Sequence, residues 1–343
     1  MNRIIRTFLA CLSLTFAGCG ADKGPNGPDW DNIPKPDKPE ESEPTVVMIT
    51  PTTNIAEPGS SIKNLQYYPG MQINVADKTF TSRLEEVAAA GFKYVELKFK
   101  HSYGLKDKSD DTISSTFASM QRALEVKGIT VWSIHLPYED KTWTNISGSE
   151  SVRTQSVDYL LRVLRHCVEN FTTCKNYVLH ASKSVSSNAT AVSQAHKSLD
   201  TMLPIAKQYG VRLCVENLVG SFCYTKEDLN AVITPYSDGF ATFDIGHANC
   251  KGYDVVEYLI HIGRRLGTVH IHDTIYKSGN DSHMLVGTGD IATKNHRWGE
   301  IYKTLLVNNG YRGVFMFEPK DDQKAVDVMA TYEEIVRDYL SLP

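Results

Sequence analysis

Eight short apolar segments, rich in β-branched residues and separated by segments of helical periodicity, constrain the fold of this chain more than any other feature. The predicted strands are Gly70–Val75, Tyr94–Phe99, Thr130–Leu136, Tyr177–Ala181, Arg212–Asn217, Ala241–Asp244, Thr268–His272 and Gly313–Glu318. The predicted helices are Ser82–Ala90, Thr154–Asn170, Ala189–Gln208, Asp254–Leu266, Glu300–Asn309 and Ala325–Leu340. Gly91, Gly210 and Gly310 stand where three of these helices are expected to end.

The number and spacing of these segments indicate a closed barrel. Eight strands alternating with helices over roughly 280 residues match the size of a (β/α)8 barrel. The chain of 343 residues is 41% hydrophobic, which is enough to bury a sizeable core. We therefore predict an α/β protein with a single (β/α)8 TIM barrel over residues 61–343. A doubly wound open sheet is the alternative, because closure is not visible in a sequence.

The first 18 residues have the pattern of a lipoprotein signal peptide. Arg3 and Arg6 precede an apolar run, Phe8–Phe16, that is too short to span a membrane. The letters FAGC that end at Cys19 resemble a lipobox, in which small residues precede the lipidated cysteine. We expect lipidation of Cys19 and export to a bacterial membrane, on its periplasmic or outer surface; secretion without lipid is the alternative.

Residues 19–60 are predicted to be a tether between this lipid and the barrel. Six prolines and many acidic residues between Gly20 and Thr45 leave little to bury, so ordering the segment would not repay its entropy. The formal charge of the chain is −4, and without Arg3 and Arg6 it is −6, from 34 basic and 40 acidic residues. Much of the excess lies in the tether, so the barrel is nearly neutral and no nucleic-acid partner is expected.

Five cysteines follow the tether: Cys167, Cys174, Cys214, Cys223 and Cys250. An odd number in an oxidising compartment allows at most two disulfides. Because no Cys-x-x-Cys spacing occurs, we expect buried cysteines acting as small apolar residues rather than a cysteine zinc site. A disulfide between Cys223 and Cys250, both in predicted loops at the same end of the barrel, is left open.

Ionisable residues recur at the carboxyl-terminal ends of the predicted strands. They are Glu96, His135, His180, Glu216, Asp244, His270 and Glu318. A single histidine at such a position usually completes a hydrogen bond in the core. Seven at one end of a barrel, where active sites form, need another reason. Four of them are carboxylates that repel one another, and a divalent cation with imidazole and carboxylate ligands is the simplest compensation.

The segment HIHDTIYKSGNDSHMLVGTGD, residues 270–290, extends this pattern into the loop after the seventh predicted strand. Asp281 and His283 lie two residues apart in it, and we expect the loop to fold back over the barrel mouth to supply two more ligands or a substrate clamp. Its tail, residues 287–290, is predicted to form a tight turn.

The segments GFKYVEL, VENL, FDIGH, VHIHD, DSHMLVGTGDI and FEP resemble the xylose isomerase-like TIM-barrel superfamily, over the chain from Ser61 onward. That superfamily includes sugar and sugar phosphate isomerases and epimerases, and endonuclease IV. In its epimerase-like branch four side chains hold one divalent metal. The resemblance assigns these as Glu216, Asp244, His270 and Glu318. It also makes Glu216 and Glu318 the acid–base pair and implies that His247 contacts substrate.

Endonuclease IV is a competing resemblance. That branch binds three zinc ions through nine ligands, and this sequence matches each: His135, His180, Glu216, Asp244, His247, His270, Asp281, His283 and Glu318. Glu96, in GFKYVEL, resembles the isomerases and is interpreted as a substrate-binding residue. The export signal and the near-neutral barrel also disfavour a DNA-repair enzyme. We expect one ion (Mn²⁺, Zn²⁺ or Mg²⁺), or three if the endonuclease IV resemblance holds.

The chain departs from the epimerase pattern at Tyr276, which replaces an arginine that some ketose epimerases carry six residues after the metal-binding histidine. This puts a free ketohexose substrate in doubt. Trp143, after the third predicted strand, is a candidate for stacking on a sugar ring, or else covers the barrel rim. Three lysines near strand ends bind an anionic sugar or are solvated, and we interpret them as solvated. They are Lys98, Lys100 and Lys320.

Together these observations predict a lipid-anchored, divalent-metal-dependent sugar isomerase or epimerase. It would act through an enediolate on a small carbohydrate with a carbonyl or oxidised carbon. Export disfavours a phosphorylated sugar, since such metabolites are mostly cytoplasmic. A trinuclear zinc phosphodiesterase and a barrel that binds carbohydrate without turnover are the alternatives.

Overall fold

The computed structural model describes residues 68–75, 79–182, 188–220 and 222–340. The predicted signal peptide, Cys19 and the tether lie outside these residues. Within the described part of the chain, no helix combines the length and apolarity that crossing a bilayer requires.

Eight parallel strands close into a barrel in sequence order, with the last pairing with the first. They are β1 (Tyr68–Asn74), β2 (Tyr94–Lys100), β3 (Thr130–Tyr138), β4 (Asn176–Leu179), β5 (Arg212–Glu216), β6 (Phe240–Asp244), β7 (Leu266–Ile271) and β8 (Val314–Phe317). The predicted single (β/α)8 barrel is confirmed, and the open-sheet alternative is wrong. Each predicted strand is present, with ends that differ by a few residues.

The α-helices of the described residues alternate with these strands. They are α1 (Phe80–Ala89), α2 (Asp110–Val126), α3 (Glu150–Asn170), α4 (Ala189–Gln208), α5 (Lys226–Ile233), α6 (Ile245–Lys251), α7 (Val255–Ile262), α8 (Ile291–Lys294), α9 (Trp298–Lys303) and α10 (Ala325–Leu340). The helix predicted over 254–266 ends at Ile262, after which Gly263–Arg265 form a 3-10 turn. The helix predicted over 300–309 begins at Trp298 and becomes a π-helix over Thr304–Asn308.

The floor of the barrel, at the amino-terminal ends of its strands, is apolar. Trp132, Val314 and Met316 form a buried cluster there, with Tyr68 and Tyr94 packed against it. These side chains fill the floor with apolar groups, so the polar strand-end residues must be sought at the opposite end. That end is where the strand-end residues of the sequence lie.

The five cysteines are free and buried. Burial raises the pKa of each thiol, to about 12 for Cys174, Cys214 and Cys250, so the thiols stay protonated. Cys223 and Cys250 form no disulfide. The prediction that the cysteines act as small apolar residues is confirmed.

Candidate metal centre and active site

The mouth of the barrel brings the predicted strand-end residues together. Glu96, His135 and His270 lie within β2, β3 and β7, Glu216 and Asp244 end β5 and β6, and His180 and Glu318 directly follow β4 and β8. Six of the seven are buried and His180 is partly exposed. A ring of strands with one direction puts all of these side chains at one end, because the carboxyl-terminal ends of parallel strands share one edge.

Four of these residues converge on one point. Glu216, Asp244, His270 and Glu318 each offer a ligand atom, and these atoms all lie within 4.8 Å of one another. The Nδ1 of His270 lies 2.9 Å from Glu318 Oε2, 3.3 Å from Glu216 Oε1 and 3.8 Å from Asp244 Oδ2. Three carboxylates and one imidazole, in a buried site, are a donor set suited to a divalent cation.

The other ring nitrogen of His270 is held by Glu96. His270 Nε2 lies 3.1 Å from Glu96 Oε1, and Gln72 and Ser133 donate to the same carboxylate at 2.8 and 2.6 Å. A carboxylate that fixes the far nitrogen of a ligating histidine is a common support of metal sites. Glu96, interpreted from the sequence as substrate-binding, is fully buried. Its contacts favour a supporting role behind His270.

Three further histidines also direct one nitrogen into the mouth. The Nδ1 of His135 donates to the Leu136 carbonyl at 2.9 Å, that of His247 to Asn217 at 2.7 Å, and that of His283 to Glu318 at 3.0 Å. Because a backbone carbonyl only accepts, each Nδ1 carries a proton, and Nε2 is the nitrogen that is able to bind a metal once it is unprotonated. The backbone thus selects the tautomer that a metal requires.

The charges of the central four residues shift the pKa values of one another. Burial by itself lowers the pKa of His270, but the charges of Glu96, Glu318 and Glu216 hold it well above its usual value. Burial raises the pKa of Glu318, yet Lys98 and His270 hold it well below its ordinary range. Glu318 Oε2 is buried and has no hydrogen bond of good geometry among the described residues. The three carboxylates around His270 thus favour a positive charge at this point of the mouth.

Smaller clusters of histidines and carboxylates lie on two sides of the central one. On the first side, Nε2 of His180 lies 2.9 Å from Glu216 Oε2 and 3.1 Å from Nε2 of His135. On the second side, Asp281 Oδ2 lies 2.8 Å from Nε2 of His283 and 3.2 Å from Nε2 of His247. On the first side three ligand atoms lie within 4.8 Å of one another, and on the second side two overlapping groups do so; these groups are His135–His180–Glu216, Asp244–His247–His272 and His272–Asp281–His283. Glu216 belongs to both the first group and the central four.

The loop after β7 folds back over the mouth, as predicted. Asp273 and Met284 form an antiparallel bridge that closes the loop, and this brings Asp281 and His283 next to His247. Asp273 anchors the loop from below: its carboxylate accepts from the backbone N–H groups of Thr274, Gly287 and Ile291 at 2.9, 2.9 and 3.2 Å.

Replacing Asp273 by asparagine is expected to loosen this loop. The amide group keeps the size of the carboxylate, but its NH₂ cannot accept the hydrogen bonds that one oxygen now accepts. Leaving buried donors unpaired costs about 1–3 kcal/mol, so amide hydrogens of residues 281–291 should exchange roughly tenfold faster or more. Hydrogen exchange with mass spectrometry measures this. Asp238→Asn, on the surface beside Lys207, is the matched control; equal exchange in both variants would contradict the anchoring role.

His272 is a site residue that the sequence did not identify. Its Nε2 lies 3.0 and 3.1 Å from the two oxygens of Asp244, and its ring stacks on His283 at 4.2 Å between centroids. The ring fits because residue 246 is glycine: a Cβ there would lie 2.0 Å from His272 Cε1. Asn217 also supports Asp244, exchanging hydrogen bonds of 2.9 and 2.7 Å with its backbone.

Gly246→Ala is expected to push His272 away from Asp244. Loss of such support for a ligand typically lowers metal affinity about 10- to 100-fold, which competition with a chelator of known affinity measures. The effect should be absent in a His272→Ala background, because the added methyl then meets no ring. If Gly246→Ala weakens metal binding equally in both backgrounds, the effect does not act through His272.

The three lysines and the tryptophan that the sequence places near the mouth have different surroundings. Lys98 was interpreted as solvated, and this is wrong: it is 8% exposed and forms an ion pair with Glu318. In the structure β2 extends to residue 100, and this extension places Lys98 inside the barrel mouth. The sequence does not show the extension. Lys100 is half-buried and Lys320 is exposed. Trp143 packs edge-on against Tyr159 at 6.0 Å, with the Lys106 ammonium 5.7 Å from its ring.

The closed (β/α)8 barrel gathers carboxylate and imidazole side chains at its mouth, in an arrangement that could hold a metal ion. Residues 84–338 match the family described as xylose isomerase-like TIM barrel. The chain belongs to this family.

Individual relatives agree with this assignment. An uncharacterized protein from Methanocaldococcus jannaschii, MJ1311, is 25% identical over 276 residues, covering 77% of this chain and 86% of the relative. The structure of a D-tagatose 3-epimerase-like protein superposes with a TM-score of 0.62 at 21% identity, covering 79% of this chain and 98% of the other. The structure of 3-keto-D-glucoside 4-epimerase from E. coli superposes with a TM-score of 0.60 at 16% identity, covering 79% of this chain and 100% of the other. At these identities, the superpositions establish the shared fold.

Proposed function

We propose that this protein is a divalent-metal-dependent isomerase or epimerase acting on a carbohydrate. The observation that carries the proposal is the convergence of Glu216, Asp244, His270 and Glu318 within 4.8 Å in the barrel mouth. The similar structures of sugar epimerases support the same class of reaction.

The roles of the residues follow from their positions. A divalent cation held by these four side chains would polarise a carbonyl and acidify the neighbouring C–H group. Glu216 and Glu318 approach His270 Nδ1 to 3.3 and 2.9 Å, so both carboxylates face the same small volume. One removes the proton from carbon, leaving an enediolate, and the other returns a proton to the opposite face or to the adjacent carbon. The first product is an epimer and the second an isomer.

The substrate we propose is a small neutral keto-sugar or oxidised glycoside. Among the described residues, the mouth has more carboxylates than lysines. The lysine that pairs with one of these carboxylates is Lys98, whereas the carboxylates number five: Glu96, Glu216, Asp244, Asp281 and Glu318. A single divalent ion leaves this set negative before any histidine is protonated, which disfavours a phosphorylated substrate.

Lipidation at Cys19 would place the enzyme outside the cytoplasm. Partitioning of the protein into a detergent phase, lost in a Cys19→Ser variant, would support this anchor.

Metal content and proton exchange test the proposal. The domain starting at residue 61, purified without chelators, should hold about one ion of manganese, zinc or magnesium per chain by elemental analysis. A panel of keto-sugars incubated with it in D₂O should yield an epimer or isomer that carries deuterium at the reacting carbon. If the protein binds metal but incorporates no deuterium into any sugar, the isomerase proposal fails and a barrel that binds carbohydrate without turnover is the remaining function.

The two flanking histidine groups favour a second candidate, a trinuclear phosphodiesterase. The donors for a further ion lie on each side of the central four: His135 and His180 with Glu216 on one side, and His272 with Asp281 and His283 on the other. Close to three zinc ions per chain, together with hydrolysis of a phosphodiester such as bis-p-nitrophenyl phosphate, would support this function over the isomerase.

A further inference from the structure

Lys98 is a buried cation at the mouth for which the proposed acid–base pair gives no role. It lies on β2 two residues after Glu96, so both side chains point into the barrel. It is paired across the sheet with His135 on β3. Its ammonium forms an ion pair with Glu318 and lies 5.0 Å from the ring centre of Tyr138.

A structural role explains this lysine poorly. Removing an ammonium from water costs several kcal/mol, and a buried ion pair is on average no more stable than an apolar pair of similar size. Methionine would fill the space beside Tyr138 without that cost. A lysine that is 8% exposed, at the end of the barrel where ligands enter, is instead suited to a charge that develops during reaction.

Lys98 differs from the neighbouring His270 in how its charge depends on metal binding. The imidazole of His270 must be neutral to bind a metal, so it cannot remain a cation once the metal is present. Lys98 is not a candidate ligand and stays an ammonium. Of its three N–H donors, the partners found among the residues that the structure describes, Glu318 and the Tyr138 hydroxyl, engage at most two. At least one N–H is left for a bound molecule.

We propose that Lys98 binds the substrate oxygen that becomes negative in the reaction. The inference rests on the proposed function. When a glutamate takes the proton from carbon, the C–H electron pair forms the enediolate double bond and the carbonyl pair moves onto oxygen. The Lys98 N–H donates a hydrogen bond to that oxygen and transfers no proton. Lys98 is then a specificity residue for planar, oxygen-rich anionic states, and it acts beside the metal.

Lys98→Met, with Lys98→Arg as the conservative variant, tests this. Oxalate is the probe, because it is a planar dianion that resembles an enediolate. Calorimetry with the Mn²⁺-loaded protein should show oxalate binding at least tenfold weaker in Lys98→Met, and partly restored in Lys98→Arg. Turnover should fall roughly 100-fold, mainly in kcat, as on loss of one oxyanion donor. Metal affinity should not fall, since removing a nearby cation favours a divalent ion. Lys93→Met, at an exposed position before β2, is the matched control.

The outcomes separate this inference from the proposed function. If Lys98→Met binds oxalate and turns over keto-sugar as the wild type does, Lys98 is a structural ion pair and the inference is overturned while the isomerase stands. If no sugar is turned over but oxalate binding still depends on Lys98, the anion-binding role stands and the isomerase does not. A Lys98→Met protein that loses metal binding or unfolds at lower temperature, with Lys98→Arg failing equally, would also overturn it.

Discussion

Replacing Glu318 by glutamine is expected to reduce turnover by roughly 1,000-fold or more at saturating metal. Acid–base catalysis by a positioned carboxylate contributes about 10²- to 10⁴-fold, and glutamine keeps its shape while removing the proton acceptor. The ion pair with Lys98 is lost at the same time. Steady-state kinetics on the sugar that the deuterium screen identifies would measure the loss.

The variant must retain its metal for this result to concern proton transfer. In the proposed site Glu216, Asp244 and His270 would remain as ligands, and the amide oxygen would be a weaker fourth. Turnover should therefore be compared at metal concentrations that saturate each protein, with bound metal measured by elemental analysis. Glu85→Gln, a surface residue that pairs with Lys127, is the control. Wild-type turnover by metal-loaded Glu318→Gln would show that Glu318 is not the base.

The barrel could be predicted from the sequence because its signal is local and repeated. Each strand is a short apolar run, and polar residues follow it at the end where the chain turns back. The same logic accounts for α2, the helix that the alternating pattern requires after β2. Ser109 caps it, with its hydroxyl accepting from Thr112 N–H, and Ile113, Phe117, Met120 and Leu124 recur at helical spacing on its buried face.

The candidate ligands could be predicted because they end strands, whereas their supports could not. Gln72 and Ser133 look like ordinary strand residues, and only the barrel shows that both hydrogen-bond Glu96. Lys98 differs from a solvated lysine only by its depth in the mouth. His272 was visible in the sequence, but its contact with Asp244 depends on the space that Gly246 leaves. Such contacts join residues far apart in the chain, and spacing alone does not reveal them.

Metal should stabilise this protein more strongly as the pH rises. The pKa of His270 is held well above its usual value: burial lowers it, but the charges of Glu96, Glu318 and Glu216 prevail. Burial likewise lowers the pKa of His272, and the charge of Asp244 raises it to about 9. In the metal-free protein these raised values contribute stability that is complete below the unfolded pKa of about 6.5. It is lost as the pH rises through the folded values.

Metal binding has the opposite dependence. A cation displaces the proton from His270, so its affinity increases by up to about tenfold per pH unit until that group is neutral. At a metal concentration 1,000 times the Kd, the stabilisation is about 4 kcal/mol, or roughly 7 °C in the unfolding midpoint of a domain of this size. Differential scanning calorimetry between pH 6 and 9, with and without Mn²⁺, should show the metal-free midpoint falling and the gap between the two widening.

The variant His270→Asn separates this linkage from a general effect of pH. Without the imidazole there is no proton to displace at the central site, so the gap should shrink and vary less with pH. Surface histidines supply the comparison: His261→Asn, on the exposed side of α7, should retain the wild-type dependence. A gap that is the same at pH 6 and pH 9 in the wild type would mean that His270 does not exchange its proton for a metal. The convergence of three carboxylates on its Nδ1 would then serve only to hold an imidazolium ion.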